Sequence, residues 1–325
     1  MTTCETNRRK FLLAAGAMSV GQLGFGRASA QANFPTSTIE LVVHVRAGGG
    51  ADLTVHSLIA GGRSELGWQM ALGRKPGGGG VASHAYLMER PRDGHTVLLV
   101  TSAHIATIAR GASPVKVDDL VFIAQATVSP MLLLVRGDSP IKSIEDYIAE
   151  AKKRPLNVGI VSVGGGDHIT GYLMAERLGL IQPKVVPHGS SGEIVINTVG
   201  RNLDAGIVEY NIAETQLRGG DVRAIASFTE KRLAELPNVP TAKESGAELI
   251  RPTLRGFIVL KGTPEDRVDI LRKGFLKAMN AAPYQEYLKN SGIPVDSVAS
   301  GEVFEKSFRA LHDDDAAALK ALGIK

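Results

Sequence analysis

Ile39-Glu40-Leu41-Val42-Val43-His44-Val45 runs through Arg46-Ala47 into Gly48-Gly49-Gly50-Ala51-Asp52, and the reading of the whole chain turns on this stretch. The β-branched apolar run predicts a strand, and the glycines predict a loop that bends sharply. Asp52 then predicts an N-cap for a helix running to Leu66, stopped by Gly67. A strand, a glycine loop and a helix in that order is where an open α/β sheet presents ligands, outside the carboxyl ends of its strands.

The same theme recurs outward from there. Thr96 to Val100, Val121 to Ala124, Met131 to Val135, Val158 to Val161, Leu203 to Val208 and Phe257 to Leu260 are short apolar runs, as expected for strands covered on both faces. Helical patterns lie between them. Ser143-Ile144-Glu145-Asp146 has capping-box spacing, and Pro155 closes its helix. Asp167 predicts the cap of a helix through Leu178, with Gly179 beyond it. Thr263-Pro264-Glu265-Asp266 predicts a helix start, followed by an apolar stripe of Val268, Leu271, Phe275 and Met279. Ser300 opens a last helix ending near Gly323. Alternation of this kind specifies an α/β class with mainly parallel sheets flanked by helices.

The chain has 325 residues and a formal net charge of +4, which taken alone would suggest a polyanionic partner. The excess sits at the start. Arg8, Arg9 and Lys10 precede the apolar run Phe11 to Val20, and Ala28-Ser29-Ala30 follows, so residues 1–30 read as an export signal. Arg8-Arg9-Lys10-Phe11-Leu12 is similar to the twin-arginine export motif. Residues 31–325 then hold 33 basic and 32 acidic side chains and no cysteine, because Cys4 lies in the signal. That balance gives no reason to expect nucleic acid or an anionic membrane, and it excludes a disulfide scaffold or a cysteine-ligated metal.

Glycine placement carries the functional reading. Gly48-Gly49-Gly50 and Gly164-Gly165-Gly166 both follow expected strands and precede expected helices, where free N–H groups attract anions. No P-loop string occurs, and Leu53 stands where a dinucleotide fingerprint needs its third glycine. Asp52 and Asp167 compete with phosphate for the same N–H groups, which leaves a carboxylate as the better anion. Catalytic constellations are thin: there is no H-E-x-x-H and no G-x-S-x-G. His188 beside Ser190 is the one pairing a hydrolase could use, and residues so close in a loop seldom reach the required geometry. His44 and His56 read as packed side chains, and His312-Asp313-Asp314-Asp315 as a solvated helix face.

Taken together these strings resemble the exported solute-binding proteins of the tripartite tricarboxylate transporters, also called the Bug family. The resemblance rests on Phe34-Pro35, on Leu41-Val42-Val43 through Asp52, and on Pro76-Gly77-Gly78-Gly79-Gly80. It continues through Asp93-Gly94-His95-Thr96, Leu236-Pro237-Asn238-Val239-Pro240-Thr241 and Gly262-Thr263-Pro264. It implies a two-lobed, type II periplasmic-binding-protein-like fold, with residues 31–135 plus 256–325 in lobe I and 136–255 in lobe II. The crossings are expected near Val135-Arg136 and Arg255-Gly256. It also implies a non-catalytic periplasmic receptor without cofactor or metal, expected to be monomeric. Such a receptor would capture a small organic carboxylate for the membrane components of its transporter. A periplasmic hydrolase using Ser190 and His188, or a ligand-sensing partner of a signalling receptor, are the competing readings.

The positions carried over by the resemblance are Gly48, Gly49, Gly50, Ala51 and Asp52, then Gly79 and Gly80, and Thr101 and Ser102. In the second lobe they are Gly165, Gly166, Asp167 and His168, then Gly189 and Ser190, and Glu209 and Tyr210. Departures surround the same loops: His44, Arg46 and Ala47 replace residues commonly Pro, small and Pro, and Gly165-Gly166 removes a usual hydroxyl. Arg46 is expected to meet a second carboxylate, and Glu209 a cationic group.

Overall fold

The computed structural model describes residues 34–45, 50–161, 163–188 and 190–324. The proposed export signal, Arg46, Gly48, Gly49 and Gly189 lie outside the described residues. In chain order the first elements are β1 (Ile39–Val43), α1 (Gly50–Leu66), β2 (Met70–Arg74), α2 (Val81–Met88), β3 (Thr96–Thr101), α3 (Ser102–Ala109), β4 (Leu120–Ser129) and β5 (Met131–Arg136). There follow α4 (Ile144–Ala151), β6 (Asn157–Ile160), α5 (Gly166–Arg177), β7 (Lys184–Pro187), α6 (Ser191–Val199), β8 (Ala205–Glu209), α7 (Tyr210–Gly219) and β9 (Val222–Ser227). The chain closes with β10 (Thr253–Leu260), α8 (Glu265–Met279), α9 (Ala282–Asn290), β11 (Ala299–Ser300) and α10 (Gly301–Ala321).

Among the described residues eleven strands form two sheets, ordered β11-β4-β10-β3-β1-β2 and β7-β6-β8-β5-β9. Period-two alternation explains why each is covered on both sides. On β3, Val97 and Leu99 face a core that also holds Val268, Leu271 and Phe275 of α8, while Leu98 and Val100 face one holding Phe304 and Phe308 of α10. On β5, Leu133 and Val135 join Ile144 and Tyr147 of α4, and Leu132 and Leu134 join Ile194 and Val195 of α6. Most strands of each sheet run one way, but β10 is antiparallel to β3 and β4, and β5 is antiparallel to β8 and β9. Both β10 and β5 have just arrived from the other lobe, and the short edge strand β11 also runs antiparallel to β4.

The crossings fall earlier than the sequence suggests. β4 ends in the first sheet at Ser129 and β5 begins in the second at Met131, so the chain passes over at Pro130, not at Val135-Arg136. It returns at Pro252, between Arg251, whose N–H bonds to Phe228 O, and Thr253, which pairs with Ser129. Proline has no N–H to give a ladder, which fits both break points. Residues 256–325 also do not all stay on the first lobe. α10 starts on the first core through Phe304 and Phe308 and ends on the second through Ala318 and Leu319.

Two helix starts differ by a residue or two from expectation. α1 begins at Gly50 and α5 at Gly166, so Asp52 and Asp167 sit in the first turn instead of capping. Ser143 and Ser300 do cap α4 and α10, accepting from Asp146 N at 3.3 Å and Val303 N at 3.4 Å. The packing of α1 on α8 depends on Gly61, where a Cβ would lie 2.2 Å from Ala278 O. Alanine gains up to about 1 kcal/mol of helix propensity there. Overpacking costs about 1–3 kcal/mol, and a backbone oxygen cannot swing aside. Gly61→Ala should therefore lower the free energy of unfolding by about 1–2 kcal/mol; a urea titration showing no loss would contradict this packing.

Candidate functional site between the lobes

A cavity of about 120 Å³ lies between the sheets, near the roughly 150 Å³ that admits a benzene-sized molecule. Four helices begin on its wall: Ser102 opens α3, Gly166 and Asp167 open α5, Ser191 opens α6, and Glu209 is the N-cap of α7. Helix N-termini present N–H groups without intrahelical partners and a positive dipole end. The crossing segments, Met131 on one side and Arg251 to Thr253 on the other, close the floor together with Leu311 and Asp315 of α10.

The residues singled out in the sequence divide into three groups. Ser102, Gly166, Asp167 and Glu209 line the cavity. Thr101, Gly165, His168 and Ser190 support its rim. Thr101 caps α3, accepting from Ala103 N at 3.3 Å, and its own N–H donates to His104 Nδ1 at 3.1 Å. Gly165 is the N-cap of α5, His168 Nδ1 accepts from Gly164 N at 2.9 Å, and Ser190 Oγ accepts from Glu193 N at 3.3 Å. A third group stands apart. Asp52 is buried and bound by Arg74, 3.0 Å from Nε and 2.5 Å from Nη2. Gly79 O accepts from Thr107 Oγ1, and Gly80, at φ 112°, packs on His104. Tyr210 belongs to the second-lobe core with Ile194 and Ala213, so its ring is not offered to the cavity. Gly50 and Ala51 open α1, and a Cβ at Gly50 would lie 2.9 Å from Arg255 Nη2.

Two arginines that the sequence reading did not place in the site govern its charge. Arg255 on β10 is buried and donates from Nη2 to both carboxylate oxygens of Glu209, at 2.8 and 3.1 Å. Its Nη1 donates to Ser129 Oγ at 2.9 Å. Burial works against the Arg255 charge, but Glu209 together with Tyr287 and Tyr284 outweighs it and the guanidinium is held above its usual pKa. The cation expected to meet Glu209 is thus supplied by the other lobe. Arg251, in the return crossing, donates from Nη2 to Asp315 Oδ1 at 2.5 Å, with both side chains almost fully buried. Asp315 was expected on a solvated face. Helical spacing instead sets it with Phe308, Leu311, Ala318 and Leu319, while Asp313 and Asp314 are exposed.

Asp167 accepts from Val161 N and from His168 N, the latter at 3.0 Å, yet burial pushes its pKa up to about 6. Behind the Gly77–Gly80 loop three histidines stack edge to face. His104 lies 4.2 Å from His44 and 4.8 Å from His84, ring centre to ring centre. His56 is instead exposed, 3.8 Å from Asp52. No group of His, Cys, Asp and Glu able to hold a metal occurs among the described residues. Ser190 spends its hydroxyl on the α6 cap, and no hydrogen bond joins it to His188 among the described residues, so the nucleophile-and-base pairing is not formed.

The profile described as "Tripartite tricarboxylate transporter family receptor" matches residues 55–306. The chain belongs to this receptor family. A relative from Cupriavidus necator, named "UPF0065 protein in gbd 5'region", is 31% identical over 86% of this chain and 88% of its own length. Among solved structures, a TctC solute binding protein from Polaromonas matches with a TM-score of 0.78 at 23% identity, covering 89% of this chain and 99% of that one. MatC from Rhodopseudomonas palustris, with bound malate, matches with a TM-score of 0.74 at 24% identity over 88% of the receptor and all of MatC. The receptor's two mixed α/β sheets flanked by helices are thus the two-lobed fold of periplasmic binding proteins.

Proposed function

We propose that this receptor works in the periplasm as a monomeric solute-binding protein. It captures a small organic carboxylate in the interlobe cavity and hands it to the membrane components of a tripartite tricarboxylate transporter. The observation that supports this most is the convergence of four helix N-termini from both lobes on one cavity. A carboxylate there accepts the first-turn N–H groups that Thr101, Asp167 and Ser190 leave over, and each such charged hydrogen bond contributes about 1.5–3 kcal/mol. Because the donors come from both lobes, the ligand favours the closed arrangement over the open one. Nothing in this scheme requires chemistry on the ligand, and membership of a family of binding proteins supports a receptor without catalytic activity.

A thermal-shift screen of mono-, di- and tricarboxylates, hydroxy acids and amino acids tests the proposal. A ligand at 100 times its Kd adds about 2.7 kcal/mol of stability, an easily measured rise in melting temperature. Stabilisation by neutral sugars or simple cations, with no response to any acid, would sink it.

A further inference from the structure

Arg251 lines the interlobe cavity, is only 4% exposed, and uses Nη2 for Asp315. Its Nη1 is buried with no hydrogen-bond partner among the described residues. A guanidinium N–H has no acceptor role to fall back on, so this donor calls for an oxygen from outside the chain, and a carboxylate suits it best.

The acids argue about the rest of that molecule. Asp167, Glu209 and Asp315 all line the same cavity, against Arg251 alone. Arg255 reaches Glu209 from outside the lining, so three carboxylates face two guanidinium groups. Asp167 is the one left over: among the described residues it accepts only backbone N–H groups, from Val161 and His168. The helix ends relieve this incompletely, because Thr101, Asp167 and Ser190 already take first-turn or neighbouring N–H groups of α3, α5 and α6. A ligand bringing only negative charge satisfies Arg251 but adds to the acid surplus. One that also carries a positive group leaves the surplus at one and brings a cation to Asp167.

We propose that the cavity selects a zwitterion, an acid that also bears an ammonium group. Its carboxylate takes Nη1 of Arg251, and its ammonium group lies against Asp167 and Glu209. This rests on the carboxylate-receptor reading and narrows it: simple dicarboxylates become the poorer ligands. Asp167 and Glu209 are then the specificity-determining residues, and Arg251 anchors the carboxylate as well as pairing with Asp315.

The test is calorimetric titration of the full chain with matched pairs, aspartate against malate and alanine against lactate, which differ by an ammonium group in place of a hydroxyl. The amino member should bind about tenfold tighter or more in at least one pair, a difference of about 1.4 kcal/mol. Glu209→Gln should collapse that ratio towards one. Asp167→Asn gives the same readout should the first variant fold poorly. Arg251→Lys keeps a positive charge for Asp315 but cannot offer a second guanidinium N–H, so it should weaken both members of a pair together. Malate or lactate binding as tightly as its amino counterpart overturns the proposal while leaving the carboxylate receptor standing. So does an unchanged ratio in both acid variants. Binding of none of the four with clear binding of sugars overturns both.

Discussion

Lowering the pH from 7 to 5 should cost this protein about 3 kcal/mol of stability or more, because three buried histidines resist protonation. His44 and His84 are held down to a pKa of about 4 against an ordinary 6.5. Burial is the larger cause for each, followed by the Arg255 charge for His44 and by His44 for His84. His104, with no exposed surface, is pushed well below 6.5 by burial and then by its two neighbours. The unfolded chain takes up these protons as the pH falls through 6.5, and the folded chain keeps His44 and His84 neutral until about 4. The stability is therefore complete above pH 6.5 and is lost on the way down, at about 1.4 kcal/mol per pH unit for each ring.

His44 and His84 together over the interval from 6.5 to 5 amount to roughly 4 kcal/mol, and His104 acts in the same direction. Asp167 opposes them. Its folded pKa of about 6 lies above the unfolded 3.8, so it gains stability as the pH falls. Between pH 6 and 5 that gain is only about 1 kcal/mol. The histidines win by roughly 3 kcal/mol from His44 and His84 alone, against a total of about 5–15 kcal/mol for an ordinary folded protein. Guanidinium unfolding at pH 7.5, 6.5, 5.5 and 5.0 measures this directly, and a flat series would refute it. His84→Leu refines the test. His84 Nε2 is buried without a partner while Nδ1 is hydrogen-bonded to Ser113 Oγ at 2.9 Å, so leucine removes an unsatisfied atom and one hydrogen bond and should cost about 1 kcal/mol at pH 7.5. It should also flatten the pH slope, by about 1.4 kcal/mol per pH unit between 6.5 and 5.

How much of this was readable in advance depends on how local the signal is. β1, β3 and β5 announce themselves because strands buried on both faces must be continuous apolar runs. Met70–Arg74 and Lys184–Pro187 do not. As β2 and β7 they are edge strands of mostly part-exposed residues, and nothing in their composition separates them from loop. Glycine clusters led correctly to the openings of α1 and α5, since an αL turn and a close approach leave a residue-level mark. The charges that set the cavity's chemistry leave none. Arg251 finds Asp315 across 64 positions, and Arg255 finds Glu209 across 46. An isolated arginine or aspartate looks like a surface residue until the fold removes its water. Asp315 alone carried a weak hint, its helical spacing from Phe308.

The ion pair between Arg255 and Glu209 should prove the most asymmetric element of the structure. Glu209→Ala leaves a guanidinium whose side chain is only 7% exposed, with the hydroxyls of Ser129 and Thr127 as its remaining partners. Stranding a buried charge costs about 3–5 kcal/mol. Arg255→Met should cost less, because Glu209 is twice as exposed, at 14%, and borders the cavity, where its carboxylate can turn to water. Replacing both residues, Arg255→Met with Glu209→Leu, removes charge and counter-charge together. The loss should shrink to about 1–2 kcal/mol, since apolar pairs often replace buried ion pairs at little cost. A double-mutant cycle followed by urea unfolding reads the coupling, and single losses that simply add would mean the two groups are held by their neighbours and not by each other. Arg255 lies on the first sheet and Glu209 at the end of a second-sheet strand, so the coupling is also a link between the lobes. Without it, the remaining charged tie identified across the crossing is Arg251 to Asp315, and unfolding of Glu209→Ala should spread towards two transitions where the parent shows one.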